Sequence, residues 1–258
     1  MARNPLADPY VFGISGGASV AAVAVLTLGG ASAGGLGLPF AAFLGAAAAT
    51  LGVYALAQSG GHVTPLRLIL AGVAAGYVLS AVTSFLVLRA STPGGGVGSV
   101  LVWLAGSLGG AQWSYLGLPS PVLLLVTLWL LGRARGLNAL LAGDEAAISL
   151  GVTLGAFRLE LFLLTALLVG VAVAVSGAIG FVGLMVPHTA RMLTGSDHRR
   201  VLPLSALLGA TYLVVCDLLG RVVIAPTELP VGIVTAAFGG PFFVWLLRRQ
   251  TTTTGATR

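Results

Sequence analysis

The stretch RLELFLLTALLVGVAVAVSGAIGFVGLMVPHTARML, residues 158–193, decides the fold. Between Glu160 and Arg191 it contains no Asp, Glu, Lys or Arg, and a glycine-containing break near its centre separates two apolar segments. A membrane-spanning helix needs about 20 mainly apolar residues. The stretch therefore predicts two transmembrane helices, at 157–176 and 179–194, of which the second is short.

The composition of the whole chain agrees with this interpretation. Of the 258 residues, 57% are hydrophobic and 8% are charged, whereas a soluble domain carries about 25% charged residues. Because such a small number of charged residues cannot cover the surface of a soluble globule, most of the surface must face lipid. The 38 glycines suit helices that pack closely in a bilayer. We predict an all-α, polytopic transmembrane helical bundle that forms a single domain, 1–258.

Eight apolar segments of suitable character follow one another along the chain. A further apolar piece, from Val97 to Leu108, is too short to cross a bilayer and predicts an interfacial or re-entrant helix. The eight predicted spans are 12–30, 38–58, 65–88, 119–134, 157–176, 179–194, 201–220 and 230–247.

The basic residues predict the orientation of these spans. All 13 are Arg, and the formal net charge is +6. If the N-terminus lies inside, only Arg89 and Arg221 fall outside, as the positive-inside rule favours. We therefore predict a multi-pass protein of the cell (inner or cytoplasmic) membrane with both termini in the cytoplasm, and no nucleic-acid partner.

The longest loop predicted inside reads GLNALLAGDEAAISLGV (136–152). It predicts a first short helix at Leu137–Leu141, which Gly143 ends. Asp144 is expected to cap a second short helix through the free backbone N–H groups of its first turn, and Gly151 suits the end of that helix. The loop is either a solvated connector or a docking platform for a cytoplasmic partner.

Special residues cluster in and after the decisive stretch. Pro187 is expected to kink or end its helix, and Pro241 to kink the last span. His188 is explained most simply by bonds to backbone carbonyls near the kink, with a proton relay, a metal ligand or a pathway residue as alternatives. A single His without acidic or Cys neighbours is a poor metal site, so no metal ligand and no catalytic residue is predicted. The kink and packing candidates are Gly180, Gly183, Pro187, His188 and Pro241.

Two charges at the outer end of the seventh predicted span are spaced for an ion pair. Asp217 and Arg221 stand four residues apart and therefore share one helix face. A charge near hydrocarbon is costly unless it is paired, so we predict an intrahelical ion pair. Arg221 has further donors for an acidic partner outside the cell, and Glu228 is expected to be exposed in the loop that follows.

Five motifs together resemble the FecCD-type permeases, which are BtuC-like (type II) membrane subunits of ABC importers for ferric siderophores, haem and vitamin B12. The resemblance covers nearly the whole chain, and the motifs occur in the family's order. They are RNPLADPYVFGISGGAS (3–19), LILAGVAAGYVLSAVTSF (68–85), LNALLAGDEAAISLGV (137–152), SGAIGFVGLMVPHTARML (176–193) and ELPVGIVTAAFGGPFF (228–243).

The resemblance implies a transport subunit with several partners. It implies a second permease copy (a homodimer), cytoplasmic ATPase subunits, an extracytoplasmic substrate-binding protein, and import of a ferric siderophore or related metal chelate by alternating access. Haem and vitamin B12 are alternative cargoes. The residues that it implies for ATPase coupling are Leu137, Asn138, Ala142, Gly143, Asp144, Glu145 and Gly151; for binding-protein docking, Arg221 and Glu228; for the cytoplasmic gate, Asn4, Pro5, Leu6, Thr64, Pro65 and Leu66.

Two features bear on the remaining alternatives. The chain has no G-x-x-x-x-G-K-[ST] phosphate-binding motif, so we expect ATP and Mg²⁺ to bind to the partner ATPase. We expect neither a cofactor nor an enzyme activity in this chain. A secondary transporter is disfavoured because the acids in or near spans, Glu160 and Asp217, lie at span ends rather than at mid-membrane.

The position of the first motif departs from the family pattern. Family members usually have ten spans, and the NPLADP motif follows their second span, whereas here it begins at residue 4. We therefore expect the family's first two spans to be absent from this chain, which is explained by a misassigned start, a fragment or an inactive truncated paralogue.

Overall fold

The chain folds into helices throughout the parts that the structure describes. The computed structural model describes residues 13–28, 37–59, 62–90 and 97–254. The short strands β1 (Gln58–Ser59) and β2 (His62–Val63) pair antiparallel before α3. The α-helices of the described residues are α1 (Ile14–Leu28), α2 (Gly37–Ala57), α3 (Pro65–Ala90), α4 (Val97–Leu104), α5 (Pro119–Gly132), α6 (Ala134–Leu141), α7 (Asp144–Ser149), α8 (Leu154–Ser176), α9 (Val182–Thr194), α10 (His198–Val222) and α11 (Val231–Thr254).

The lengths of these helices refine the predicted spans. Every predicted span contains a helix, and five helical segments are long and apolar enough to cross a membrane: 37–57, 66–89, 113–132, 154–176 and 198–222. The apolar parts of α1 and α11 are shorter. Helix α9 has 13 residues, about 20 Å at 1.5 Å per residue, which is less than the roughly 30 Å of a hydrocarbon core. It begins at Val182 rather than at the predicted 179, because the glycine-containing segment after α8 stays non-helical.

The proline-containing helices continue through their prolines. Pro187 lies inside α9 and Pro241 inside α11, and both helices extend beyond them. Of the two outcomes predicted for Pro187, a kink or a helix end, the structure excludes the helix end. The missing N–H of a proline removes one helical hydrogen bond, and neighbouring helices compensate for such a loss in a membrane protein. His188 packs edge-on against Phe242 of α11, with ring centroids 6.3 Å apart.

Helices α1 and α2 pack antiparallel through small residues. Gly17 and Ala21 of α1 face Gly45 and Ala49 of α2, and a Cβ added at either glycine would collide with the backbone carbonyl of the other. Small residues four apart let two helix backbones approach closely, so that van der Waals contacts hold them together in lipid. The buried cluster of α1, α2 and α8 that continues this packing consists of Ile14, Ala18, Ala22, Ala42, Ala46, Val173 and Ala174.

Three chain segments meet at a junction of glycines. The Ser107 N–H donates to the Ser176 carbonyl at 2.9 Å, and the Gly232 N–H donates to the Gly106 carbonyl at 3.1 Å. These bonds join the end of α4, the end of α8 and the start of α11. Gly106 and Gly177 have positive φ values of 72° and 68°, which favour glycine. Helix α4 has 8 residues and is therefore too short to span a bilayer; its interfacial or re-entrant position stays a prediction.

The course of α8, α9 and α10 separates two ends of the molecule. Helix α8 begins beside α7 and ends at the glycine junction, after which α9 returns toward the other end, where Asp197 and His198 bind Asn138 of α6. Helix α10 starts there and ends near the junction again, where the Leu229 N–H donates to the Gly220 carbonyl at 2.9 Å. The α6–α7 segment and Arg221 consequently lie at opposite ends of α10.

Candidate functional site

The α6–α7 segment forms two short helices at one end of the bundle, as predicted. Helix α6 starts at Ala134, three residues before the predicted start, because it continues almost directly from α5 through Arg133. Gly143 separates the two helices with φ 113° and ψ 167°. Gly151 follows α7 with a positive φ of 81°, the conformation expected of a glycine after a helix end.

Asp144 does not cap α7 as the sequence predicted. Gly143 occupies the N-cap position, and Asp144 is the first residue of the helix. The Asp144 carboxylate instead accepts a hydrogen bond from Arg158 Nη2 of α8 at 2.8 Å. The Arg158 guanidinium carries a full positive charge, so its bond to the carboxylate joins two ionised groups, and the carboxylate is directed toward α8. The Arg158 Nε atom is buried and has no hydrogen-bond partner among the described residues.

Asn138 connects α6 to the start of α10. Its Nδ2 donates to Asp197 Oδ1 at 2.7 Å, and its Oδ1 accepts from the His198 backbone N–H at 2.9 Å and lies 2.8 Å from His198 Nδ1. Asp197 caps α10 by accepting from the Arg199 N–H at 3.0 Å. The Asn138 amide and the Arg199 N–H hold the pKa of the Asp197 carboxyl below its usual value, since both bonds favour the charged form.

Apolar side chains on α6 and α7 are exposed although this segment lies outside the spanning helices. Leu141, Ile148 and Leu150 are 60%, 59% and 71% exposed; we call these three residues the platform surface. Among the residues predicted for ATPase coupling, Leu137, Asn138, Gly143 and Asp144 are half-buried, and Ala142, Glu145 and Gly151 are exposed. An exposed apolar patch on a segment outside the membrane is typical of a protein–protein contact.

Arg221 lies between two carboxylates at the opposite end of α10. Its Nε donates to Asp217 Oδ2 at 2.8 Å, and its Nη1 donates to Glu228 Oε1 at 3.3 Å. The predicted intrahelical ion pair is therefore confirmed, as is the exposure of Glu228, whose side chain is 53% exposed. The bond between Arg221 and Glu228 was not predicted, because Glu228 lies beyond the helix in the α10–α11 loop. The three side chains together carry a formal charge of −1.

Glu160 is paired at the same end of the bundle as α6. Trp129 Nε1 donates to Glu160 Oε1 at 2.6 Å, and Arg133 Nε donates to the same oxygen at 3.0 Å. The Arg133 guanidinium carbon also lies 5.4 Å from the centre of the Trp129 ring. These contacts join α5 to α8 at this end of the bundle and pair the charge of Glu160.

The gate candidates are only partly within the described residues. Asn4, Pro5 and Leu6 lie outside them. Thr64 Oγ1 accepts from the Arg67 N–H at 3.4 Å at the start of α3, of which Pro65 is the first residue. Leu66 is exposed.

Two of the kink and packing candidates are glycines near the start of α9. A Cβ added at Gly180 would meet nothing within 4 Å. Gly183 lies in the first turn of α9. Within 13–28, 37–59, 62–90 and 97–254, no three His, Cys, Asp or Glu residues group as metal ligands would.

Comparison with protein families decides the family of this chain. The FecCD transport family matches residues 1–249. The chain belongs to this family. It is a multi-pass membrane protein with the fold of a BtuC-like permease, as predicted. A solved structure described as an inward-facing conformation of a metal-chelate type ABC transporter aligns with a TM-score of 0.86 at 32% identity, over 96% of this chain and 77% of that chain.

Several permeases of known name are similar to this member of the family. The cobalamin import system permease BtuC of Halobacterium salinarum is 45% identical over 95% of this chain, and the match covers 65% of that relative's length. The hemin transport system permease HmuU of Yersinia pestis is 43% identical, with 96% and 74% covered. The Fe(3+) dicitrate permease FecD of Escherichia coli is 42% identical, with 96% and 76% covered.

Proposed function

We propose that this chain is the permease subunit of an ABC importer that brings a ferric siderophore or a related metal chelate into the cytoplasm by alternating access. The observation that carries this proposal is the alignment with a metal-chelate type ABC transporter over 96% of the chain. The relatives are named as permeases for cobalamin, hemin and Fe(3+) dicitrate, which are all metal chelates. Haem and vitamin B12 are the alternative cargoes.

The partners follow from the two ends of α10. The ATPase subunits, which bind ATP and Mg²⁺, dock on the platform surface, which supplies exposed apolar groups outside the spans. The substrate-binding protein docks at the opposite end, near Arg221 and Glu228. A second copy of the permease completes the pathway as a homodimer. The Arg distribution supports a cytoplasmic platform in the cell (inner) membrane.

The test is reconstitution with the cognate partners. The chain is co-expressed with a candidate ATPase subunit, purified through a tag on the permease and placed in lipid vesicles that contain ATP. We expect the ATPase to be retained, hydrolysis to rise when loaded binding protein is added, and a labelled ferric siderophore to accumulate. Haem and cobalamin are the comparison cargoes. A chain that retains no ATPase would contradict the proposed function.

Charge reversal at Arg221 is expected to weaken docking of the binding protein. In Arg221→Glu, three carboxylates would face a partner whose recognition requires a cation. Because the site is exposed and screened by salt, we expect roughly a tenfold rise in Kd, mainly through slower association. The measurement is binding of the loaded binding protein to the vesicle-embedded complex at two salt concentrations.

Glu228→Gln is the matched variant for this experiment. It removes the carboxylate that competes for Arg221 and leaves the Asp217 pair in place, so docking should be as tight as in the wild type or tighter. Equal weakening by both variants would contradict the assignment of Arg221 as the cation that the partner recognises, because Glu228 would then contribute to docking as much as Arg221.

A further inference from the structure

A single helix connects the two proposed docking ends. Helix α10 has 25 residues, about 37 Å at 1.5 Å per residue. Asp197 caps its first turn, and Arg221 lies in its last turn. The helix runs through Pro203, whose missing N–H removes one backbone hydrogen bond near its start. The remaining backbone bonds fix the rise per residue, so a displacement of the first turn can be passed along the axis.

The Asn138 side chain attaches the first turn of this helix to α6. Its amide donates to Asp197 Oδ1 at 2.7 Å, and its carbonyl oxygen accepts from the His198 N–H at 2.9 Å. The same oxygen lies 2.8 Å from His198 Nδ1. Both ends of the amide group are thus used within the chain. Asn138 therefore links α6 to α10 and is not free to face a partner, unlike the exposed side chains of the platform surface.

The other attachment of the platform leads to a different helix. Arg158 binds Asp144 at 2.8 Å and joins α7 to α8, which ends at the glycine junction and is connected there to the end of α10 through hydrogen bonds between separate chain segments. The α6–α10 connection is therefore the direct route from the platform surface to the Arg221 end. Asn138 and Asp197 stand 59 residues apart in sequence, so no local folding preference requires them to meet.

We propose that Asn138, Asp197 and His198 are positioning residues that couple movement of the α6–α7 segment to α10, and through α10 to the docking site at Arg221. This inference rests on the proposed function. ATP-driven movement of the ATPase subunits displaces α6, and the amide of Asn138 transfers this displacement to the first turn of α10. In the reverse direction, docking at the Arg221 end reaches the ATPase by the same route, since coupling between two binding sites is reciprocal.

A repulsion-and-rescue pair of variants tests this inference in the reconstituted complex. Asn138→Asp places a carboxylate against Asp197 Oδ1 and replaces a hydrogen bond by like-charge repulsion. The double variant Asn138→Asp/Asp197→Asn removes the repulsion, since one carboxylate then faces one amide, and Asn remains a good helix cap. Thr194→Val is the matched control, because the bond that the Thr194 hydroxyl makes within the described part of the chain goes to the Ala190 carbonyl of its own helix α9.

The quantity measured is the ratio of ATP hydrolysis with loaded binding protein to hydrolysis without it, alongside ATPase retention and the thermal midpoint in detergent. We expect Asn138→Asp to lower this ratio about fivefold or more, the lower limit of typical coupling between sites. The double variant should regain most of the ratio, and Thr194→Val should keep it. A ratio unchanged in Asn138→Asp, or a loss that Asp197→Asn does not rescue, would overturn the inference. A wild-type complex without any stimulation would instead contradict the proposed function itself.

Discussion

Replacing Ile148 by Asp is expected to abolish retention of the ATPase subunit. Ile148 is 59% exposed on α7, whereas its neighbour Ala147 is fully buried and anchors the helix. A central apolar contact in an interface is often worth about 2 kcal/mol or more, and a carboxylate buried there without a partner adds a further cost. We therefore expect affinity for the ATPase to fall by roughly thirtyfold or more, as measured by immobilising the permease and titrating the ATPase.

The matched control is Ile148→Leu, which keeps the apolar volume and should retain the ATPase. Thermal unfolding of the isolated permease should be nearly the same in both variants, because the side chain makes few internal contacts. Glu145→Arg reverses an exposed charge in the first turn of α7 and is expected to act in the same direction as Ile148→Asp. Wild-type affinity in Ile148→Asp would remove the platform surface from the proposed interface.

Replacing Gly45 by Leu is expected to disrupt the packing of α1 on α2. A Cβ at this position would collide with the Gly17 carbonyl oxygen and lie 2.5 Å from the Ala21 Cβ. The Gly17 carbonyl oxygen belongs to the backbone and cannot rotate away, so the two helices must separate. Overpacking costs about 1–3 kcal/mol and occasionally more, and the larger cost applies here because a backbone atom is in the way. The expected result is a strongly lowered thermal midpoint in detergent, or loss of the monodisperse peak in size exclusion.

Gly52→Leu provides the comparison on the same helix. A Cβ added at Gly52 would meet nothing within 4 Å, and Leu has a higher helix propensity than Gly. This variant should unfold at the wild-type temperature or slightly above it. If both leucine variants unfold at the same temperature, the close contact of α1 and α2 does not contribute to stability.

Much of the fold could be predicted because the signals are local. Apolar runs, glycines and prolines act within a few residues, so all eight predicted spans contain a helix. The break at Gly143 and the pair of Asp217 with Arg221 follow from spacing within one segment. The helix end that the sequence allowed at Pro187 does not occur, because a proline disfavours helix only locally and α9 continues through it in the packed bundle.

The candidate site was predictable only in part, because several of its contacts join residues that are distant in sequence. The platform helices were expected. The prediction that Asp144 caps α7 was wrong, because its carboxylate binds Arg158 of another helix. Asp197 is a residue type that favours helix N-caps, so its position before α10 could have identified it as the cap. No local sequence signal indicates that Asn138 contacts Asp197.

The amino-acid sequence alone determined that this protein folds in lipid and where its helices lie, since hydropathy and helix-breaking residues are properties of short segments. It also determined the family, because five motifs occur in order. Folding in three dimensions decided which small residues face each other, as for Gly17 and Gly45, and which polar groups pair, as for Asn138 with Asp197 and Glu228 with Arg221. These choices depend on how distant segments pack, because a buried or membrane-facing polar group must find its partner wherever the fold provides one.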